Sequence, residues 1–92
     1  MEEEEEQLRF VIGRIREIRT QKRMSQLELS TKSNLSQSFL ASIEKGKKKP
    51  SVLTLLRIAK ALNVSPKSFF PDFEMESKDE IKDIIVNLVR SL

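Results

Sequence analysis

Between Leu8 and Ile18 the apolar residues Leu8, Val11, Ile12, Ile15 and Ile18 recur at intervals of three and four. That spacing returns to one side of a 3.6-residue helix and predicts a first amphipathic helix over about 8–23. Its other sides carry Arg9, Arg14, Arg16, Arg19, Lys22 and Arg23, as a solvated surface would. A second helix is expected from Gln26 to about Lys32, opened by Ser25, with Glu28 at capping-box spacing. A third runs from Gln37 to about Lys45 and is capped by Ser36. Leu40 and Ile43 face the core from it, and Phe39 falls at the edge of that face. Ser33-Asn34-Leu35 makes the turn between the two, because Asn tolerates the left-handed region. Gly46 closes the third helix. Leu55, Ile58, Ala59 and Leu62 mark a fourth over 52–62, capped by Ser51 and ended by Asn63-Val64-Ser65-Pro66. Lys67 to Phe70 adds one turn, with Phe69 or Phe70 plugging the core. Beyond a linker at 71–77, Ile81, Ile84, Ile85, Leu88, Val89 and Leu92 form the stripe of an amphipathic helix over 78–92. The fold class is therefore all-α.

Ninety-two residues suit one small domain with a modest core, which a second copy would help to stabilise. The formal charge of +3 conceals three blocks. Residues 1–7, an acidic N-terminal extension, hold five Glu and no base. Residues 8–70 hold fourteen Lys and Arg against three Glu, and residues 71–92 hold six acids against three bases. Cations gathered on the 8–70 block are the footprint of a polyanion binder. Three readings of Glu2–Glu6 stay open: a solvated tail, the first turns of helix 1 with negative charge at the positive end of its dipole, or a shield over the basic face. The acidic start is unlike a signal peptide and no apolar run approaches ~20 residues, so no membrane segment and a cytoplasmic location are expected.

Gln26, Leu29, Leu35, Ser36, Gln37, Ile43, Glu44, Gly46, Pro50, Ser51, Leu55, Ile58, Ala59, Leu62, Val64, Ser65 and Phe70 fall as they do in the Cro/Xre-type, lambda-repressor-like helix-turn-helix family. The resemblance covers roughly Ile12 to Phe70. It departs at Ser30, where the family usually has Ala, and at Asn34, where it usually has Gly. It implies a five-helix DNA-binding domain over 8–70, to which the C-terminal amphipathic helix is an addition. It further implies that Arg19 pairs with Glu44 and clamps helix 1 to the end of helix 3.

A helix fits the major groove of B-DNA, where every base pair displays its own donor and acceptor pattern. On the resemblance, Gln37, Ser38 and Ser42 reach base edges, and Ala41 offers a methyl contact. Their short side chains let helix 3 seat deeply. Gln26, at a helix N-terminus, is implied to meet a phosphate. Lys45, Lys47, Lys48 and Lys49 are candidates for further phosphate contacts, with Arg19, Arg23 and Lys32 as weaker ones. Two such modules on a two-fold axis would read half-sites about one helical turn apart. Ile81, Ile84, Ile85, Leu88, Val89 and Leu92 are the candidate dimerisation stripe, the alternative being that they pack on their own domain.

The expected function is a sequence-specific, dimeric transcriptional regulator on a palindromic operator, of the phage-repressor or restriction–modification controller kind. Expected partners are duplex DNA, a second copy and RNA polymerase. The competing reading is an antitoxin that caps a toxin and represses its own operon. An enzyme is disfavoured: the chain has no His or Cys for base, nucleophile or metal, and no paired carboxylates. No cofactor is expected. Single-strand binding is disfavoured as well, since five Phe at core-like positions and no Tyr or Trp leave no stacking platform.

Overall fold

The computed structural model describes residues 2–70 and 88–90. Within them lie α1 (Glu2–Gln21), α2 (Gln26–Ser33), α3 (Gln37–Glu44), α4 (Val52–Leu62) and a 3-10 turn (Pro66–Phe69). No strand occurs among the described residues. Leu88, Val89 and Arg90 are helical, whereas Ile81, Ile84, Ile85 and Leu92 of the C-terminal stripe lie outside the described residues.

The apolar periodicities converge on one core. Val11, Ile15 and Ile18 of α1 meet Leu29, Leu40, Ile58, Ala59, Leu62 and Phe69. Phe69 is the plug and is fully buried, while Phe70 stays 47% exposed. Helix α1 starts at Glu2, six residues before the apolar pattern begins, so residues 2–7 continue the same helix. Four glutamates in its first turn face the positive end of the dipole, and glutamate is a good helix former.

Serines open the next three helices. Ser25, Ser36 and Ser51 each sit in extended conformation and accept the backbone N–H three residues on, from Glu28, Phe39 and Thr54. Each such bond satisfies a donor the helix cannot, and its loss costs about 0.5–2 kcal/mol. The Glu28 carboxylate is paired with Lys32 at 3.2 Å, one turn along, rather than completing a capping box.

Helices α1 to α4 end the same way. A residue at positive φ follows each last turn: Arg23 (55°), Asn34 (58°), Gly46 (78°) and Asn63 (58°). The next N–H then reaches back five residues, as in Met24 to Arg19, Leu35 to Ser30, Lys47 to Ser42 and Val64 to Ala59, at 2.9–3.0 Å. This closes the orphan carbonyls of each helix. Helix α4 is thus stopped by Asn63, and Pro66 instead opens the 3-10 turn. Arg23 is the poorest fit of the four, since a left-handed residue with a Cβ costs roughly 1–2 kcal/mol. Glycine relieves that cost at about 0.5–1 kcal/mol of extra backbone entropy. Arg23→Gly is expected to stabilise the chain by roughly 0.5–1 kcal/mol and Arg23→Ala to leave it unchanged, read by thermal unfolding.

Candidate nucleic-acid interface

Helix α2 packs against both α3 and α4. Ser30 and Ser33 are both buried. The Ser30 hydroxyl donates to the Leu27 carbonyl at 2.8 Å, and that of Ser33 to Leu29 at 2.6 Å. With its hydrogen bond satisfied inside the helix, Ser30 fits where alanine would. Leu29 and Leu40 anchor the two helices in the core.

This anchoring turns one side of α3 outward. Gln37 and Ser38 are exposed, Ala41 and Ser42 are half-buried, and Leu40, Ile43 and Glu44 point inward. Phe39 is half-buried at the edge. The outward side is short and uncharged. Immediately beyond it, Lys45, Lys47, Lys48 and Lys49 are all exposed. Gly46 lets the chain turn between them in a conformation that side chains strain. The structure therefore sets the four candidate base-reading residues on one side of α3, with the lysines just past its C-terminal end.

Glu44 fixes that end. Its carboxylate is buried and takes both Arg19 Nε at 2.8 Å and Arg19 Nη2 at 2.9 Å. Arg19 Nη1 also donates to the Met24 carbonyl at 2.8 Å, tying in the connection to α2. Gln26 Nε2 donates to Glu44 at 3.1 Å, so one amide proton of this phosphate candidate is committed inside the protein. The amide of Gln26 keeps its carbonyl oxygen and a second proton for other partners. Arg16 Nη2 donates to the backbone carbonyl of Glu44, at the negative end of α3. Sequence reasoning places Arg16 in solvent. Its i−3 relation to Arg19 puts both on the helix side nearest Glu44, and that is the available signal.

Among the described residues no group of His, Cys, Asp or Glu could hold a metal ion, and no helix is long and apolar enough to cross a membrane. A second cationic group is set by α2 and α4. Lys32, Arg57 and Lys60 line a cleft of about 410 Å³ between the end of α2 and α4.

Two short helices joined by a left-handed Asn, the second with an outward polar side between a serine cap and a lysine loop, define a helix-turn-helix domain by class. The chain belongs to the Cro/Xre-type helix-turn-helix family, and the profile of that family, described as helix-turn-helix, matches residues 15–69. It is 42% identical over 48 residues to the uncharacterised HTH-type transcriptional regulator y4dJ of Sinorhizobium fredii, covering 52% of this chain and 62% of the relative. It is 43% identical over 51 residues to the immunity repressor protein of Bacillus phage phi105, covering 55% and 35% respectively. The matches thus span less than two thirds of the length of these relatives. The fold superposes on the restriction–modification controller protein C.AhdI from Aeromonas hydrophila with a TM-score of 0.66. That pair is 35% identical, over 68% of this chain and 96% of the other. Such regulators are not a class of enzyme.

Proposed function

We propose that the chain acts as a homodimer on a palindromic operator and regulates transcription by blocking or recruiting RNA polymerase there. The observation that carries this reading is the outward side of α3, where Gln37, Ser38, Ala41 and Ser42 stand beside four exposed lysines. The reading helix enters the major groove, and Gln37 pairs with adenine N6 and N7. Ser38 and Ser42 bond base edges, and Ala41 meets a thymine methyl group. Lys45, Lys47, Lys48 and Lys49 hold phosphates, and so does the N-terminus of α2 at Gln26. Similarity to an immunity repressor and to a restriction–modification controller supports the regulator reading.

Selection of bound duplexes from a random pool is the test. The expected product is a two-fold symmetric sequence with half-site centres roughly 34 Å apart, and enrichment of a single asymmetric site would reject the dimer. On the selected site, Lys48→Ala should weaken binding to all duplexes alike and reduce the slope of log affinity against log salt by about 1.8, or about 0.9 for each of the two symmetric lysines of the dimer. A sequence-dependent loss would instead mark Lys48 as a base reader.

A further inference from the structure

The acidic start of α1 adjoins the lysine loop. Glu5, Leu8, Arg9 and Ile12 recur at three and four residues, so they share one side of the helix. With Gly46 and Lys49 they line a groove of about 280 Å³. Ile12 is buried and Leu8 half-buried, while Glu5, Arg9 and Lys49 are exposed. The groove is therefore apolar beneath and charged on its solvent side. Further along α1, Arg16 donates to the Glu44 carbonyl and Arg19 to the Glu44 carboxylate. Those bonds fix α1 against the end of α3, where the lysine loop begins.

The helix dipole favours acids in the first turn of α1 on any side of it. The groove does select a side. Glu5 stands on the side that adjoins Lys49, with Glu2 three residues before it, whereas Glu3 is two residues away and lies on the opposite side. Neither Glu5 nor Lys49 forms an ion pair among the described residues. Lys49 can thus take a phosphate, and a phosphate arriving there meets a carboxylate of the same sign.

We propose that Glu5 is a built-in competitor for the lysine loop: its carboxylate opposes the seating of a backbone phosphate at Lys49 and lowers the affinity of the chain for every duplex. The inference rests on the phosphate role given to the lysines above and names the element that moderates it. The opposition is Coulombic, so it is strongest at low salt, where charges are felt over ~30 Å at 0.01 M against ~8 Å at 0.15 M. Glu5 therefore makes binding less dependent on salt than the lysines alone would.

The test compares the full-length chain with Glu5→Gln and Glu3→Gln, each of which removes one negative charge and keeps the side-chain shape. Binding to the selected operator and to an unrelated duplex is measured between about 50 and 200 mM salt. A unit charge ~7 Å away in water alters the binding of an ion by roughly threefold. Glu5→Gln should tighten binding to both duplexes by roughly that factor per chain at the low end and by less at the high end, which steepens the salt slope. Glu3→Gln should tighten it clearly less, and Glu5→Gln should lose most of its effect in a Lys49→Gln background. Helix signal should be unchanged throughout, because all three sites are exposed. Equal gains from Glu5→Gln and Glu3→Gln, or a gain that survives Lys49→Gln undiminished, would reduce the acidic turns to net charge and overturn the competitor. A loss with Lys49→Gln beside no gain with Glu5→Gln overturns the competitor and leaves the phosphate role intact. Affinities and salt slope that ignore Lys49→Gln overturn both.

Discussion

Arg19→Ala should destabilise the domain by about 3–5 kcal/mol, a large share of the total stability of a chain this small. The charge it leaves behind is the reason. Glu44 is buried, and Arg19 supplies two of the three side-chain donors bonded to its carboxylate. Gln26 is neutral, and Arg16 stands off at 3.8 Å with half its side chain in water. Removing Arg19 therefore strands a carboxylate in a poorly solvated site. The double variant Arg19→Met with Glu44→Leu should recover most of the loss, since an apolar pair of similar volume leaves no unpaired charge. Urea unfolding of the two single variants and the double measures the coupling. Near-additive losses would show that the pair contributes by packing alone. DNA binding should fall with Arg19→Ala at temperatures where the variant is still folded, because the pair aligns the start of α2 with the end of α3.

Gln37→Ala should lower affinity for the selected operator by roughly 1–3 kcal/mol per half-site, about 5- to 150-fold, and relax preference at one symmetric pair of positions. Affinity for unrelated duplex DNA and the salt slope should be unchanged, because the lysines proposed to hold phosphates are untouched. Gln37 is exposed at the first position of α3, so the substitution leaves the core alone and unfolding should not shift. The measurement is a repeat of the selection with the variant. An unaltered preference would remove Gln37 as a reader and transfer that role to Ser38 and Ser42.

These two predictions rest on features that differ in how readily the sequence yields them. Ile15, Leu40, Ile58 and Leu62 announce their burial by spacing, since helical periodicity and an apolar side are the same fact. Ser25, Ser36 and Ser51 announce helix starts because few side chains are short and polar enough to accept an N–H left free in the first turn. Helix ends are less legible. Asn34 and Gly46 carry the chemistry of the left-handed region, but Arg23 does not, and only the bond from Met24 back to Arg19 requires it there. The helical start at Glu2 has no apolar signature, since dipole and propensity act without burial. At the site, the outward side of α3 is legible from its short side chains. The tether from Gln26 to Glu44 is not, because it joins residues eighteen apart through a fold that must exist first.

The length of α3 carries a further consequence. A serine cap and a left-handed glycine confine it to eight residues, about 12 Å of helix at ~1.5 Å per residue. Set against a base-pair rise of ~3.4 Å, that reach inspects roughly four base pairs. Four fully specified pairs encode eight bits of information, in the most favourable case. Singling out one address among ~10⁶ competing sites takes about twenty bits. In the proposed dimer, two symmetric readers supply sixteen. The missing four bits must come from the spacing between half-sites and the bendability of the duplex in the gap, so unread central base pairs should discriminate between operators.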